Sequence, residues 1–163
     1  GRGRLTRKLL EHDIRLSILD LSQTCIDRCR ERFGDDQKLE NCYVGSGSDL
    51  KDIETNSIDF VFSFDSFVHM HEEVINRYLG EINRVLELGG HCWIHHSILT
   101  HGQHDNFQNI AGRSNMDLEK FANIAKSNQL KVVNQNTIRW NAPGNPDWLH
   151  DGFTMLKKTI QKL

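Results

Sequence analysis

The sequence predicts an α/β chain: one doubly wound, mostly parallel sheet with an antiparallel strand at its C-terminal end. Three observations lead there. Residues 58–64 form a short, almost wholly apolar run, the pattern of a strand covered on both faces. From His71 onward Val74, Ile75, Tyr78, Leu79, Ile82, Val85 and Leu86 fall on one helical face; Gly89 and Gly90 then read as a stop, and Cys92-Trp93-Ile94 begins another strand. A strand–helix–strand unit of this size is a parallel crossover. Residues 130–140 and 150–158 read as two strands with no helix between them, and such strands pair antiparallel.

Each remaining element has its own signal. Residues 5–11 place Leu5, Leu9 and Leu10 on one face of a first helix. Gly1 and Gly3 stand before it, where glycine lets the backbone approach a ligand and free N–H groups favour polar or anionic atoms. A lone Gly-x-Gly is equally the pattern of a merely flexible end. Residues 14–19 alternate as a strand that ends on Asp20. Ser22 then serves as N-cap of a helix that buries Cys25, Ile26, Cys29 and Phe33 and ends at Gly34. An acid at that strand tip, about 20 residues after a glycine loop, is placed to accept hydrogen bonds from ribose hydroxyls. Its alternative role is to complement the helix N-terminus. Residues 39–44 form a third strand, and the polar turn 45–50 at its carboxyl end either passes over a flat base or simply connects.

Ligands of open parallel sheets sit beyond the strands' carboxyl ends, so residues 65–69 and 95–97 should line one crevice. Residues 98–112 are polar and His-rich with no period, and a loop this long in a compact domain is usually functional or disordered. Ser114-Asn115-Met116-Asp117 reads as a capping box before a helix with Leu118, Phe121, Ala122, Ile124 and Ala125 on its apolar side. Residues 141–147 are a dense loop signal and hold both prolines.

Composition bounds the function. A chain of 163 residues with 37% hydrophobic content and no internal repeat makes one domain over residues 1–163. A net charge of -2 argues against a nucleic-acid partner, since phosphate binding usually needs a basic surface. No apolar run reaches membrane-spanning length and no signal peptide is visible. Cys25, Cys29, Cys42 and Cys92 lack zinc-ribbon or redox spacing and read as buried thiols in a reducing compartment, which places the chain in the cytoplasm. His69, His71, His95, His96, His101 and His104 cluster in sequence, and imidazoles bind zinc; no carboxylate set accompanies them, so no metal is expected. The chain begins at Gly1, yet a glycine loop leading into a helix normally follows a strand, so a further strand is expected before residue 1. Oligomeric state is left open.

The element order and four segments resemble the class I S-adenosylmethionine-dependent methyltransferase family, whose fold is Rossmann-like. Gly1-Arg2-Gly3-Arg4-Leu5-Thr6 resembles the latter half of its glycine motif, and Leu19-Asp20-Leu21-Ser22 its acidic second-strand motif. Residues 59–69 resemble its fourth strand and following loop, and Leu86-Glu87-Leu88-Gly89-Gly90 its Leu-x-Pro-Gly-Gly turn. The family's first strand is missing from the chain, and Ser46, followed by Asp49, stands where the family often carries an adenine-binding acid. The resemblance implies S-adenosyl-L-methionine as cofactor. Gly1 and Gly3 would approach its methionine part, Asp20 and Leu21 its ribose, and Ser46, Gly47 and Asp49 its adenine; Phe64, Asp65 and Ser66 would border the donor.

Acceptor chemistry must come from the open side. On an alternating fifth strand Cys92, Ile94 and His96 share one face and Trp93 and His95 the other, so at least one histidine should point into the crevice. His96 or His95 is then the expected general base for O-methylation; the alternative is a histidine satisfied by the backbone. The polar loop 101–109 fits a small hydroxylated acceptor, a sugar or natural-product intermediate, with Arg113, Trp140 and His150 as rim candidates. Two other functions compete. A nicotinamide-dependent oxidoreductase would need a third small residue that Gly1-x-Gly3-x-x-Thr6 lacks. A non-catalytic module would keep the fold without using the cofactor.

Overall fold

The computed structural model describes residues 1–99, 113–140 and 150–160, without the His150 side chain. The chain divides into two compact units, Gly1–Asp52 and Ile53–Leu163.

In the first unit, α1 (Arg4–Leu9), β1 (Leu16–Asp20), α2 (Gln23–Phe33) and β2 (Leu39–Val44) follow in order. β1 and β2 pair in parallel, with Asp20 opposite Val44 at their carboxyl ends. α2 is the crossover that parallel pairing demands. Its N-cap is Ser22, whose side chain accepts from the Cys25 N–H, and it buries Ile26 and Cys29. Gly3 caps α1 at φ +82°, and a Cβ there would come within 2.6 Å of the Phe33 ring, so the loop lies against α2 only because residue 3 is glycine.

The second unit holds β3 (Ile58–Ser63), a 3₁₀ turn (Phe67–His69), α3 (Glu72–Val85), β4 (Leu86–Ser97), α4 (Leu118–Ser127), β5 (Leu130–Arg139) and β6 (His150–Lys158). Its sheet has the order β3-β4-β6-β5. β3 and β4 are parallel, as the crossover through α3 predicts, while β6 runs antiparallel to both β4 and β5. The expected C-terminal antiparallel strand is therefore present, and it sits inside the sheet rather than at its edge. α3 buries Ile75, Tyr78, Leu79, Ile82 and Val85, and α4 buries Phe121, Ile124 and Ala125. The faces of β4 differ. Cys92, Ile94 and His96 point toward the helices, where His96 stacks on Phe121 with centroids 3.8 Å apart. The opposite face carries an aromatic layer, in which Trp93 stacks on Phe62 at 5.2 Å and on Phe153 at 4.7 Å.

Two boundaries differ from expectation. Gly89-Gly90 does not stop α3: the helix ends at Val85, and Leu86 is already extended (φ −63°, ψ 139°). Leu86 is buried opposite Ile58, and its carbonyl accepts from Lys158 Nζ at 2.8 Å, so tertiary contacts recruit it into β4. Gly89, at φ +85°, lies in the irregular stretch of β4 between Leu86 and His91. Likewise Asp117, not Ser114, is the N-cap of α4, its carboxylate accepting from the Lys120 N–H at 2.7 Å. Ser114 is buried, its N–H is donated to the Val68 carbonyl, and its Oγ has no hydrogen-bond partner among the described residues, so it caps no helix. Cys29 and Cys92 are buried and Cys25 and Cys42 half-buried; burial pushes the Cys92 thiol up to about 12. Among the described residues no helix is long and apolar enough to cross a membrane.

Candidate functional site

The first unit gathers most of the expected cofactor residues around the carboxyl ends of β1 and β2. Asp20 Oδ1 accepts the Ser22 N–H at 2.9 Å, and Oδ2 pairs with the Gly1 amino nitrogen. The Gly45 N–H binds the Asp20 carbonyl at 3.0 Å and ties the polar turn to the strand tip. In that turn Ser46 Oγ donates to Asp49 Oδ2 at 2.7 Å. Gly47 is held at φ +100°, and a Cβ there would stand 3.2 Å from Leu21. Leu21 is 60% exposed. An oriented carboxylate next to an exposed apolar side chain suits a ligand with adjacent hydroxyls and a flat ring.

In the second unit Phe64, Asp65 and Ser66 follow β3 directly. Asp65 adopts φ +59°, the left-handed region that non-glycine residues rarely occupy. Its N–H donates to His95 Nδ1 at 3.0 Å. Phe64 lies tilted against the His95 ring at 4.7 Å.

Both candidate histidines are fully buried. His95 Nδ1 accepts from Asp65, so in the neutral ring the proton sits on Nε2. Nε2 lies 3.1 Å from Asp151 Oδ2, a hydrogen-bond distance, although the N–H is not aimed straight at the oxygen. Asp151 is held by Arg113 in bidentate fashion, Nε to Oδ1 at 2.8 Å and Nη2 to Oδ2 at 2.6 Å. Trp140 Nε1 also donates to Oδ2. Burial by itself would raise the Asp151 pKa. The hydrogen bonds from Arg113, His95 and Trp140, with the Arg113 charge, outweigh it and hold the carboxyl well below the usual carboxylate range.

His96 is engaged differently. Nδ1 lies 2.8 Å from the Ser97 carbonyl, which only accepts, so Nδ1 carries the proton. Nε2 then accepts from Thr154 Oγ1 at 2.8 Å, and Thr154 in turn accepts from Gln135 Nε2 at 3.1 Å. Burial pulls the His96 pKa down to about 4, and the bond to Ser97 offsets this only in part. Gly152 faces the ring: a Cβ there would fall 2.6 Å from His96 Cε1.

A base that takes a proton from substrate needs a reachable nitrogen. In this arrangement both rings are buried and every ring nitrogen faces protein, His95 Nε2 beside Asp151 without a well-aimed hydrogen bond, so no ring nitrogen is exposed. Arg113 and Trp140, expected at a rim, belong to the Asp151 cluster instead. Asp151, Thr154 and Gln135 were not foreseen. The signal for Asp151 and Thr154 is the alternation along β6, which puts Asp151 and Phe153 on one face and Thr154 on the other, but it becomes informative only once His95 is known to pair with Phe153; Gln135 lies on β5, opposite Thr154. Loop 101–109, His101, His104, residues 141–147 and the His150 side chain lie outside the described residues.

Residues 1–94 match the family model described as a methyltransferase domain. The chain belongs to the methyltransferase-domain family. S-adenosylmethionine is the cofactor of this family. Phosphoethanolamine N-methyltransferase 1 of Triticum aestivum is 32% identical over 99 residues, 60% of this methyltransferase-family chain and 20% of the wheat protein. The chain thus spans about a fifth of that relative's length. Among solved structures, an S-adenosylmethionine-dependent methyltransferase from Methanosarcina mazei superposes with TM-score 0.76 at 11% identity, over 99% of this chain and 90% of that one. The Burkholderia thailandensis 1,6-didemethyltoxoflavin-N1-methyltransferase, solved with its namesake compound and S-adenosylhomocysteine bound, gives TM-score 0.71 at 19% identity, over 98% of this chain and 68% of that one. These likenesses establish the Rossmann-like methyltransferase fold.

Proposed function

We propose that the protein transfers a methyl group from S-adenosylmethionine to a small polar acceptor. The observation that carries this reading is the Asp20 carboxylate, oriented by Ser22 at the tip of β1, in a chain of this family. Asp20 and Leu21 are assigned to the ribose, Ser46, Gly47 and Asp49 to the adenine, and Gly1 and Gly3 to the methionine part. Phe64, Asp65 and Ser66 are assigned to the donor's reactive end. Bound there, the cofactor supplies a methyl group already activated on a sulfonium. The chain's own task is alignment, because an activated donor leaves orientation as the main barrier.

Two acceptor classes remain in play. A small hydroxylated molecule would need a base for its proton, and His95 and His96 are both engaged with protein. An amine attacks with its own lone pair and needs less help, and the wheat relative is named for N-methylation. We therefore place a small amine first and a small hydroxylated molecule second. The test is a panel of small amines and alcohols incubated with the full-length protein and S-adenosylmethionine, with products read by mass spectrometry. Methylated amines are expected, and Asp20→Ala should abolish turnover at subsaturating cofactor. Methylation of alcohols alone would reverse the order; binding of NAD but of no S-adenosyl compound would remove the reading.

A further inference from the structure

The His95 ring is wedged between Phe64 and Phe153, at 4.7 and 4.8 Å, and is fully buried. Packing alone would ask for a leucine or phenylalanine there. Instead its two nitrogens meet two fixed groups. Nδ1 receives the Asp65 N–H at 3.0 Å, and Nε2 faces the Asp151 carboxylate, itself clamped by Arg113 and Trp140. Asp65 needs such a partner. A non-glycine residue at φ +59° persists only where its surroundings over-determine it. The polypeptide beyond it is held at a second point, where Val68 accepts the Ser114 N–H at 2.8 Å.

We propose that His95 is a positioning residue: through Nδ1 it holds the Asp65 amide, and hence the left-handed turn after β3, while the Asp151 carboxylate lying 3.1 Å from Nε2 favours the ring form with its proton there. The consequence for cofactor binding rests on the assignment of Asp65 and Ser66 to the methyl donor. The hydrogen bond itself does not. Neither nitrogen needs to reach substrate, which accounts for a buried histidine beside an Arg–Asp pair on a strand end where a base would have to be open.

Two amide substitutions separate the nitrogens. In His95→Asn the amide oxygen falls near the place of Nδ1 and can still accept from Asp65. In His95→Gln the terminal amide falls near Nε2 and leaves the Asp65 N–H unpaired. In the full-length protein, amide exchange at Asp65 should quicken about tenfold in His95→Gln and stay within about twofold of wild type in His95→Asn. Affinity for S-adenosylhomocysteine, measured by calorimetry, should follow the same order, with about a tenfold loss for the glutamine variant alone. Equal effects of both variants would mark a packing role and overturn the proposal, as would unchanged exchange in His95→Gln. Wild type that binds no S-adenosylhomocysteine would count against the cofactor reading, and the exchange measurement would then decide the role of His95. If His95→Gln does not fold, imidazole ¹⁵N shifts of the wild type decide it: an unprotonated Nδ1 is expected, and a proton there overturns the assignment.

Discussion

His95 and His96 are neighbours in sequence, yet they carry their protons on opposite nitrogens. His95 must be protonated on Nε2 because Asp65 donates to Nδ1; His96 must be protonated on Nδ1 because a carbonyl faces it. Alternation along β4 explains why they part company, since successive side chains point to opposite faces. The sign of the His96 shift gives a stability prediction. Its pKa is lowered from 6.5 to about 4 in the folded chain, so between those values the unfolded chain binds the proton and the folded chain does not. Stability from this residue is complete above about pH 6.5 and is lost as pH falls toward 4, by roughly 3 kcal/mol in all. Urea unfolding across this window should show the loss in wild type and a shallower slope in His96→Gln. Equal slopes would mean that another group titrates.

At the scale of elements, caps and strand starts were harder to read than faces. The apolar stripe of α3 predicted its buried face: Ile75, Tyr78, Leu79, Ile82 and Val85 are buried, while Val74, also on the stripe, is half-buried. The end of α3 is not legible locally, because Leu86 continues the apolar pattern while its backbone has already joined β4. The start of α4 shows the same effect. Ser114 and Asp117 both suit a cap by type, and only the folded chain decides between them: Asp117 accepts the Lys120 N–H, while Ser114 Oγ has no partner among the described residues. Asp117→Ala should cost about 1 kcal/mol by loss of the bond to Lys120, while Ser114→Ala leaves helix capping untouched. Chemical denaturation of the two variants checks this, and a larger loss of α-helical signal in Ser114→Ala would contradict it.

For the molecule as a whole, the C-terminal sheet sets a stability order. β4 and β6 each have strands on both sides, and they carry the fully buried Cys92, Ile94, Thr154 and Leu156. Among the described residues β5 pairs on one side only, and it has Val133 exposed. Amides freed only by global opening belong to the doubly paired strands. Hydrogen exchange should therefore be slowest at residues 92–96 and 153–156 and faster along β5. Comparable protection in β5 would argue against this strand order. Membership in the methyltransferase-domain family makes the same sheet a scaffold on which loops carry the chemistry.

By itself the sequence determined the α/β class, the parallel pair around α3, the antiparallel C-terminal hairpin partners and the acid at the β1 tip. Each of these is written locally, in side-chain periodicity, in a glycine, or in a carboxylate next to an N-cap. Only tertiary structure decided which partners the two histidines meet. Their candidacy came from the type and place of the side chain, but their role depends on burial and on partners far away in sequence: Asp151 for His95, Thr154 and Gln135 for His96. Those partners arrive through the β4–β6 register, and a register between distant strands is fixed by the packing of the whole sheet, which no single segment encodes.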